Sequence, residues 1–363
     1  MSPSDQINAV YAKYRDLPDV TWVGPNSLMQ GLILGFDDGS IISTDSNTGG
    51  VSKPQQLSPS GDAVNGIAAV SPTSLAVSTR SEVLFFQVDG SGQTSRAVFP
   101  GGSHGVVATK SGSYVAPLGP HGLLIVRPTD GKMQKMEVTR ETEDRPYFYR
   151  VAALHDPVGT ETLVFANRKN GVGLSLFNRD ERRRVVHTMG FVGIDIVDVC
   201  GVASGSLAAF AVSRTGDILW IEDSSKHQDP VVLRPKNIEG SVYRVLATPH
   251  HLFLLSSKAL YVWFGLVDRA SNGEFASPNM IRLVLPMDAI DMSLLGNDYL
   301  LLVMGANAVH CLPVKSLESQ IVGNFHLEKT SGLTSGSLER ATLEDVRQIW
   351  QTEDIEQHDL AMV

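Results

Sequence analysis

The chain has 363 residues, a net charge of -9 and 42% apolar against 19% charged residues, with 33 glycines and 18 prolines. That profile belongs to short buried strands broken by many turns, not to helical bundles or disordered chains, and the acidic excess argues against a nucleic-acid binder, which releases counterions with surplus Lys and Arg. All-β domains and repeat arrays reach this length undivided, so one large domain is expected.

Residues 1 to 20 carry Asp5, Lys13, Arg15, Asp16 and Asp19 and lack the continuous apolar core of a signal peptide. No uncharged apolar run approaches the length of a spanning helix, so a soluble, cytoplasmic protein without membrane contact is expected. Asp5 to Leu17 reads as a short helix, because Ile7, Val10, Tyr11, Tyr14 and Leu17 recur on one face at helical spacing. Packing of that face on the rest of the chain is the plainer reading, and a partner-binding helix is the alternative.

From Val20 onward the sequence repeats. An incomplete first copy holds VTWVGP from Val20 and GLILGFDDGSIIST from Gly31. The next reads GIAAVSP from Gly66, SLAVSTR from Ser74, EVLFFQVDG from Glu82 and SRAVFP from Ser95: four short strands and four turns. The same order returns with GVVATKSG from Gly105, YRVAALHD from Tyr149, IDIVDVCGVA from Ile194, VYRVLATPH from Val242 and AIDMSLLGN from Ala289. Starts recur roughly every 39 to 48 residues, the period of a four-stranded propeller blade. Each such sheet has two apolar faces and buries them only by stacking on neighbours around an axis. The fold class is therefore all-β: a seven-bladed β-propeller of four-stranded antiparallel blades with short N- and C-terminal helices. Its organisation is an N-terminal helix over 1–18, a propeller over 19–328, and a linker, helix and acidic tail over 329–363.

Third strands place an aromatic near their ends: Trp220 in DILWIED, Trp263 in LYVWFG, Phe86 in LFFQVD and Phe177 in LSLFNRD. In this the chain resembles the WD40-like seven-bladed propeller superfamily over about residues 20 to 327. The resemblance implies the architecture and a habit of binding partners, and assigns no individual functional residue.

Beyond the repeats, KTSGLTSGS from Lys329 is a Gly/Ser/Thr linker, and Thr342 caps an expected helix through Trp350 with Leu343, Val346, Ile349 and Trp350 on one face. Residues 318 to 363 hold nine acidic and three basic residues, which concentrates the negative charge in this appendage. A solvated tail with a weakly docked helix is the plainer reading; a recruitment helix for another protein is the alternative.

No catalytic or cofactor signature is visible: no GxSxG, no HExxH, no calcium-loop spacing, no phosphate-binding loop. Cys200 and Cys311 have no zinc or disulfide spacing and read as small apolar strand residues. The adjacent His250 and His251 read as a surface turn whose side chains diverge. No metal, no cofactor and no catalytic residue are therefore expected.

If strand order is uniform, the loops between second and third strands share one rim with the segments entering each first strand. Those loops carry Arg80, His121, Arg168 with Lys169, Arg214 and Lys258, and the first copy adds Asp37 and Asp38. Beside Arg168 the entering segment supplies Arg145, Pro146, Tyr147, Phe148 and Arg150, a composition enriched in interface hot spots. Arg145, Tyr147, Phe148, Arg150, Arg168, Lys169 and Arg214 form the candidate partner-binding patch. The plainer reading of these residues is charged turns and a covered blade joint. A second basic run, Arg179 with Arg182 to Arg184, reads as a solvated hairpin on the other rim.

The leading functional expectation is a non-enzymatic scaffold, or a subunit of a larger complex, holding protein partners on a rim and its terminal helices. The alternatives are a hydrolase or lactonase with its site in the channel, and a nucleic-acid or ribonucleoprotein binder using the basic rim.

Overall fold

The computed structural model describes residues 1–26, 30–71, 74–88, 94–100, 103, 105–109, 112–118, 123–127, 132–136, 147–155, 161–168, 172–178, 186–191, 196–202, 208–221, 231–235, 238–265, 279–285, 288–304, 308–319 and 339–341. Among them, the strands form seven antiparallel sheets in chain order. The first contains β1 (Val20–Asn26), β2 (Gly31–Phe36), β3 (Ser40–Ser43) and β4 (Gln55–Gln56). The second contains β5 (Val64–Ser71), β6 (Ser74–Thr79), β7 (Glu82–Val88) and β8 (Thr94–Pro100). The third contains β9 (Val107–Ala108), β10 (Tyr114–Pro117), β11 (Leu123–Arg127) and β12 (Lys132–Met136). The fourth contains β13 (Tyr147–His155), β14 (Glu161–Arg168), β15 (Val172–Asn178) and β16 (Val186–Phe191). β17 (Ile196–Gly201), β18 (Ala209–Ser213), β19 (Ile218–Ile221) and β20 (Val231–Arg234) make the fifth. The sixth is β21 (Val242–Ala247), β22 (His251–Ser256), β23 (Ala259–Phe264) and β24 (Asn279–Val284). The seventh shows three described strands, β25 (Ala289–Leu295), β26 (Tyr299–Met304) and β27 (Ala308–Pro313), followed by helix α2 (Val314–Ser319). The sequence pointed to an incomplete first copy; the first sheet is instead four-stranded, with a fourth strand of two polar residues too short to show a pattern.

Second strands read as continuous apolar runs because neighbouring sheets cover both of their faces. Every residue of β2 and of β22 is buried. Leu32, Leu34 and Ile42 turn one way, while Ile33 and Ile41 turn the other and pack with Val64, Val77 and Leu84 of the second sheet. Phe210 and Trp220 of the fifth sheet meet Leu252, Leu254 and Tyr261 of the sixth, whose opposite side meets Leu300 and Leu302 of the seventh. β13 packs between β10 and β17, which joins the third, fourth and fifth sheets.

The ring closes without strand exchange among the described residues. Leu301 and Val303 of β26 pack against Val20, Val23, Leu34 and Phe36 of the first sheet, and Ser293 donates a 2.5 Å hydrogen bond from Oγ to the Val23 carbonyl. Helix α1 (Pro3–Lys13) seals this joint with Ile7 and Val10. Its start is a capping box: Ser2 Oγ accepts from the Asp5 amide at 3.2 Å, and the Asp5 carboxylate accepts from the Ser2 amide at 3.2 Å. The helix stops at Lys13, short of the expected Leu17. Tyr14 is extended there, and its hydroxyl donates to the Ser52 carbonyl at 2.8 Å, so Tyr14 and Leu17 reach the same apolar cluster from extended chain. The sealing face is the one expected for packing.

A strand β28 (Glu339–Ala341) adds antiparallel to the outer edge of β20. The expected linker over 329–337 and the expected helical face of Leu343, Val346, Ile349 and Trp350 lie outside the described residues. Stacked four-stranded sheets around a common axis make this a β-propeller.

Candidate functional site

A bulge recurs in the first strand of six sheets, always near its start. Pairing with the second strand slips between Val20 and Trp22, Val64 and Gly66, Phe148 and Arg150, Ile196 and Asp198, Val242 and Arg244, and Ala289 and Asp291. The extra residue leaves the ladder and its side chain becomes available to the neighbouring sheet. Thr21 donates from Oγ1 to the Val64 carbonyl at 2.8 Å, Asn65 from Nδ2 to the Ser103 carbonyl at 3.3 Å, and the Tyr243 hydroxyl to the Ala289 carbonyl. In the first and sixth sheets the acceptor is the residue just before the next sheet's own bulge. Ser103 plays that part in the third sheet, which makes Gly105 the counterpart of the post-bulge residues.

The residues after the bulges, with Gly105, hold one position around the ring, and all but Asp291 line a shared cavity. Around the ring these are Trp22, Gly66, Gly105, Arg150, Asp198, Arg244 and Asp291. The last four alternate in sign and link four consecutive sheets. Arg150 Nε lies 3.5 Å from Asp198 Oδ1, Arg244 Nη1 lies 3.2 Å from Asp198 Oδ2, and Arg244 Nε lies 2.5 Å from Asp291 Oδ1. Asp198 is 2% exposed and also accepts the Val245 amide at 2.9 Å. A buried carboxylate is tolerable here because backbone and guanidinium donors replace its water. Burial alone would push the Arg244 guanidinium down, but the charges of Asp198 and Asp291 outweigh it and hold the group further into its charged form. Burial, with Asp198 beside it, pushes the Cys200 thiol well up, so Cys200 is an inert wall residue.

The first strands enclose a cavity of about 450 Å³ on the axis, to which all seven sheets contribute. Arg150, Asp198 and Arg244 of the fourth to sixth sheets and Trp22, Gly66 and Gly105 of the first to third line it, together with Val151, Val199, Val202 and Val245. Asp291 sits behind Arg244 and does not line the space. Space is tight at Gly66: a Cβ there would lie 3.0 Å from Ser78 Oγ, 3.3 Å from the Gly105 Cα and 3.4 Å from the Val106 amide nitrogen, where the second and third sheets approach. Among the described residues, no group of three or more His, Cys, Asp or Glu side chains is placed to hold a metal ion.

Of the residues singled out in the sequence, Arg150 lies in this axial arc, paired with Asp198. Tyr147 and Arg168 are cross-strand partners at the rim end of the fourth sheet, with Phe148 next to them opposite Asn167. Arg145 and Lys169 lie outside the described residues. Arg214 sits half-buried in the turn after β18, and its carbonyl accepts the Val242 amide of the next sheet at 2.8 Å. Arg80 and Lys258 are exposed in the corresponding turns of the second and sixth sheets. The basic rim therefore has Arg80, Arg214 and Lys258 where uniform strand order puts them, with Asp37 and Asp38 in the matching turn of the first sheet. His250 is exposed, but His251 belongs to β22 and is buried against Phe264 with ring centres 5.0 Å apart, so only half of that pair is a surface turn.

No protein-family model matches the chain, and no curated protein sequence does. Solved structures do. Hydrazine synthase of Kuenenia stuttgartiensis superposes with a TM-score of 0.62 at 12% identity, over 82% of this chain and 96% of that one. The β-propeller domain of Cps50 (Swd1) of Myceliophteria thermophila gives 0.59 at 14%, over 82% and 98%. KlAtg21, in complex with the coiled coil of AgAtg16, gives 0.56 at 10%, over 79% and 91%. At these identities the likeness is one of fold, and that fold is the divergent β-propeller.

Proposed function

We propose that the chain is a non-enzymatic scaffold that holds protein partners on the rim formed by the turns between second and third strands. The observation that carries this reading is the state of the axial charges. Asp198, the most buried carboxylate on the axis, accepts from Arg244 and the Val245 amide and pairs with Arg150, and Arg244 is held in turn by Asp291. Ionisable groups engaged this way fasten sheets together; a general acid or base needs a proton it can exchange with substrate. The rim carries Arg80 and Lys258 in exposed turns on a chain of net charge -9. A propeller of similar fold, KlAtg21, is seen in complex with a coiled coil, which supports a protein as the partner class. Location in the cytoplasm and membership of a larger complex belong to the same proposal; among the described residues no helix is long and apolar enough to cross a membrane.

The test is affinity purification of the tagged full chain from its source cells, beside the variant Arg80→Glu, Arg168→Glu, Lys258→Glu. Wild-type protein retains specific protein partners and the variant loses most of them at unchanged melting temperature. An identical partner set in both would refute the rim.

A further inference from the structure

We infer that the outer edge of the fifth sheet is a docking site for a short extended segment of a protein partner, and that the chain's own Glu339–Ala341 occupies it as a tethered competitor. This goes beyond the rim reading and uses a different surface. Among the described residues the fifth sheet alone carries a fifth strand, β28, taken up from beyond the repeats. An outermost strand presents unpaired N–H and C=O groups, which an added strand satisfies through its main chain. β20 is covered as an edge used in this way would be. Val232 and Leu233 are fully buried within it, whereas both residues of β4 are exposed and β27 has no buried residue.

Three features define what the edge accepts. The first is length: Pro230 and Pro235 bracket Val231–Arg234 in the sequence, and a proline has no N–H to offer, so a docked segment is held over about four residues. The second is direction and register. β28 runs antiparallel, with Glu339 opposite Arg234, Arg340 opposite Leu233 and Ala341 opposite Val232. The third is charge. Arg234 is 33% exposed at the end of the edge, with Nε 3.5 Å from Asp217 Oδ1, and the register sets an acidic residue of the docked segment directly opposite it, a favoured cross-strand pair. The tether makes the occupancy reversible. Residues 320–338 join α2 to β28, and a strand tethered at that length competes at an effective concentration on the order of a millimolar. A ladder of three residues held in this way yields to a partner segment that adds contacts of its own. The partner is therefore an extended protein segment with a carboxylate facing Arg234 and a small residue facing Val232.

The probe is a fluorescein-labelled peptide of residues 335–344, SGSLERATLE, followed by fluorescence anisotropy. In the full chain, Arg340→Pro with Ala341→Pro removes two successive donors from the tethered strand and leaves β20 as it is. This open variant is expected to bind the peptide at one saturable site, at least about tenfold more tightly than wild type, whose edge is already occupied. A peptide carrying the same two prolines does not bind. Arg234→Glu in the open variant weakens the peptide about threefold, and Glu339→Arg in the peptide recovers that loss. Should the prolines impair folding, as read by circular dichroism and melting temperature, Glu339→Gly, Arg340→Gly and Ala341→Gly together replace them, with an expected gain over wild type of about threefold. Adding the rim charge reversals to the open variant leaves peptide binding unchanged, which separates this edge from the rim. Equal affinity of wild type and the folded open variant, absence of a saturable site, or binding of the proline peptide would each overturn the proposal. So would a wild-type dimer in analytical ultracentrifugation that the prolines abolish, because the edge would then serve a second copy of the chain.

Discussion

Replacing Asp198 by Ala tests whether the alternating arc holds the ring together. The substitution removes the acceptor of the Val245 amide and one of the two carboxylates that hold Arg244, and it separates Arg150 from the arc. Removing one partner of a buried ion pair costs about 3–5 kcal/mol, because the remaining charge stays desolvated, and a buried amide without an acceptor accounts for about 1–3 kcal/mol of that loss. Asp291 still pairs with Arg244, so the expected loss lies near the lower bound, at about 3 kcal/mol. In a chain this large, each kcal/mol moves the melting temperature by about 2 °C, which gives a fall of roughly 6 °C by differential scanning calorimetry, with a matching shift in the urea midpoint. Asp198→Asn keeps an oxygen for the Val245 amide and loses about half as much. A fall below about 2 °C in Asp198→Ala would refute the view that these charges join the sheets.

Gly39 occupies the turn between β2 and β3 with φ +81°, and a Cβ there would lie 2.6 Å from the Ser58 Cβ and 2.9 Å from the Asp62 carbonyl oxygen. Gly39→Ala is expected to lose about 1–3 kcal/mol in urea unfolding, whereas Gly105→Ala, with open space and no strained φ, stays within about 0.5 kcal/mol. Burial pushes the Tyr11 phenol up to about 12 from its ordinary value near 10. The unfolded chain therefore releases that proton first, and the contribution of Tyr11 is whole below pH 10 and lost as pH rises toward 12. Tyr11→Phe should show a shallower fall in melting temperature over that interval than wild type, with no loss at pH 7, since the buried hydroxyl has no hydrogen-bond partner among the described residues. An equally steep fall in both proteins would place the alkaline sensitivity elsewhere.

The propeller was legible in the sequence because it depends on what recurs. Period, turn residues and continuous apolar second strands survive in every copy, since each sheet must bury two faces against neighbours of the same kind. The amphipathic stripe of α1 was legible for the same reason, although its end was not: Tyr14 and Leu17 keep helical spacing while satisfying the cluster from extended chain. The ends of the ring were harder. β4 is two glutamines, and the closure between the first and seventh sheets rests on contacts such as Ser293 with Val23, 270 residues apart, for which no local pattern exists.

The axial arc was misplaced in the sequence for a specific physical reason. The expectation groups Arg150 with Tyr147 and Phe148 because all three sit in the segment entering the fourth sheet; alternation in a regular strand would put Arg150 on the face of Phe148 and opposite Tyr147. A bulge shifts the register by one residue and reverses the assignment. Bulges are often marked by glycine, but here the extra residues are Thr21, Asn65, Tyr149, Val197, Tyr243 and Ile290, which fit an ordinary strand. The signal lay in comparing copies, not in reading along one. Setting TWVG, NGIA, YRVA, VDVC, YRVL and IDMS one above another, with HGVV for the third sheet, gives a column of Trp22, Gly66, Gly105, Arg150, Asp198, Arg244 and Asp291. Charges in strands that are otherwise apolar, at one phase and alternating in sign over consecutive copies, have no explanation within a single sheet. They require each first strand to meet the next one around an axis, and Gly66 in the same column marks where the backbones of the second and third sheets approach.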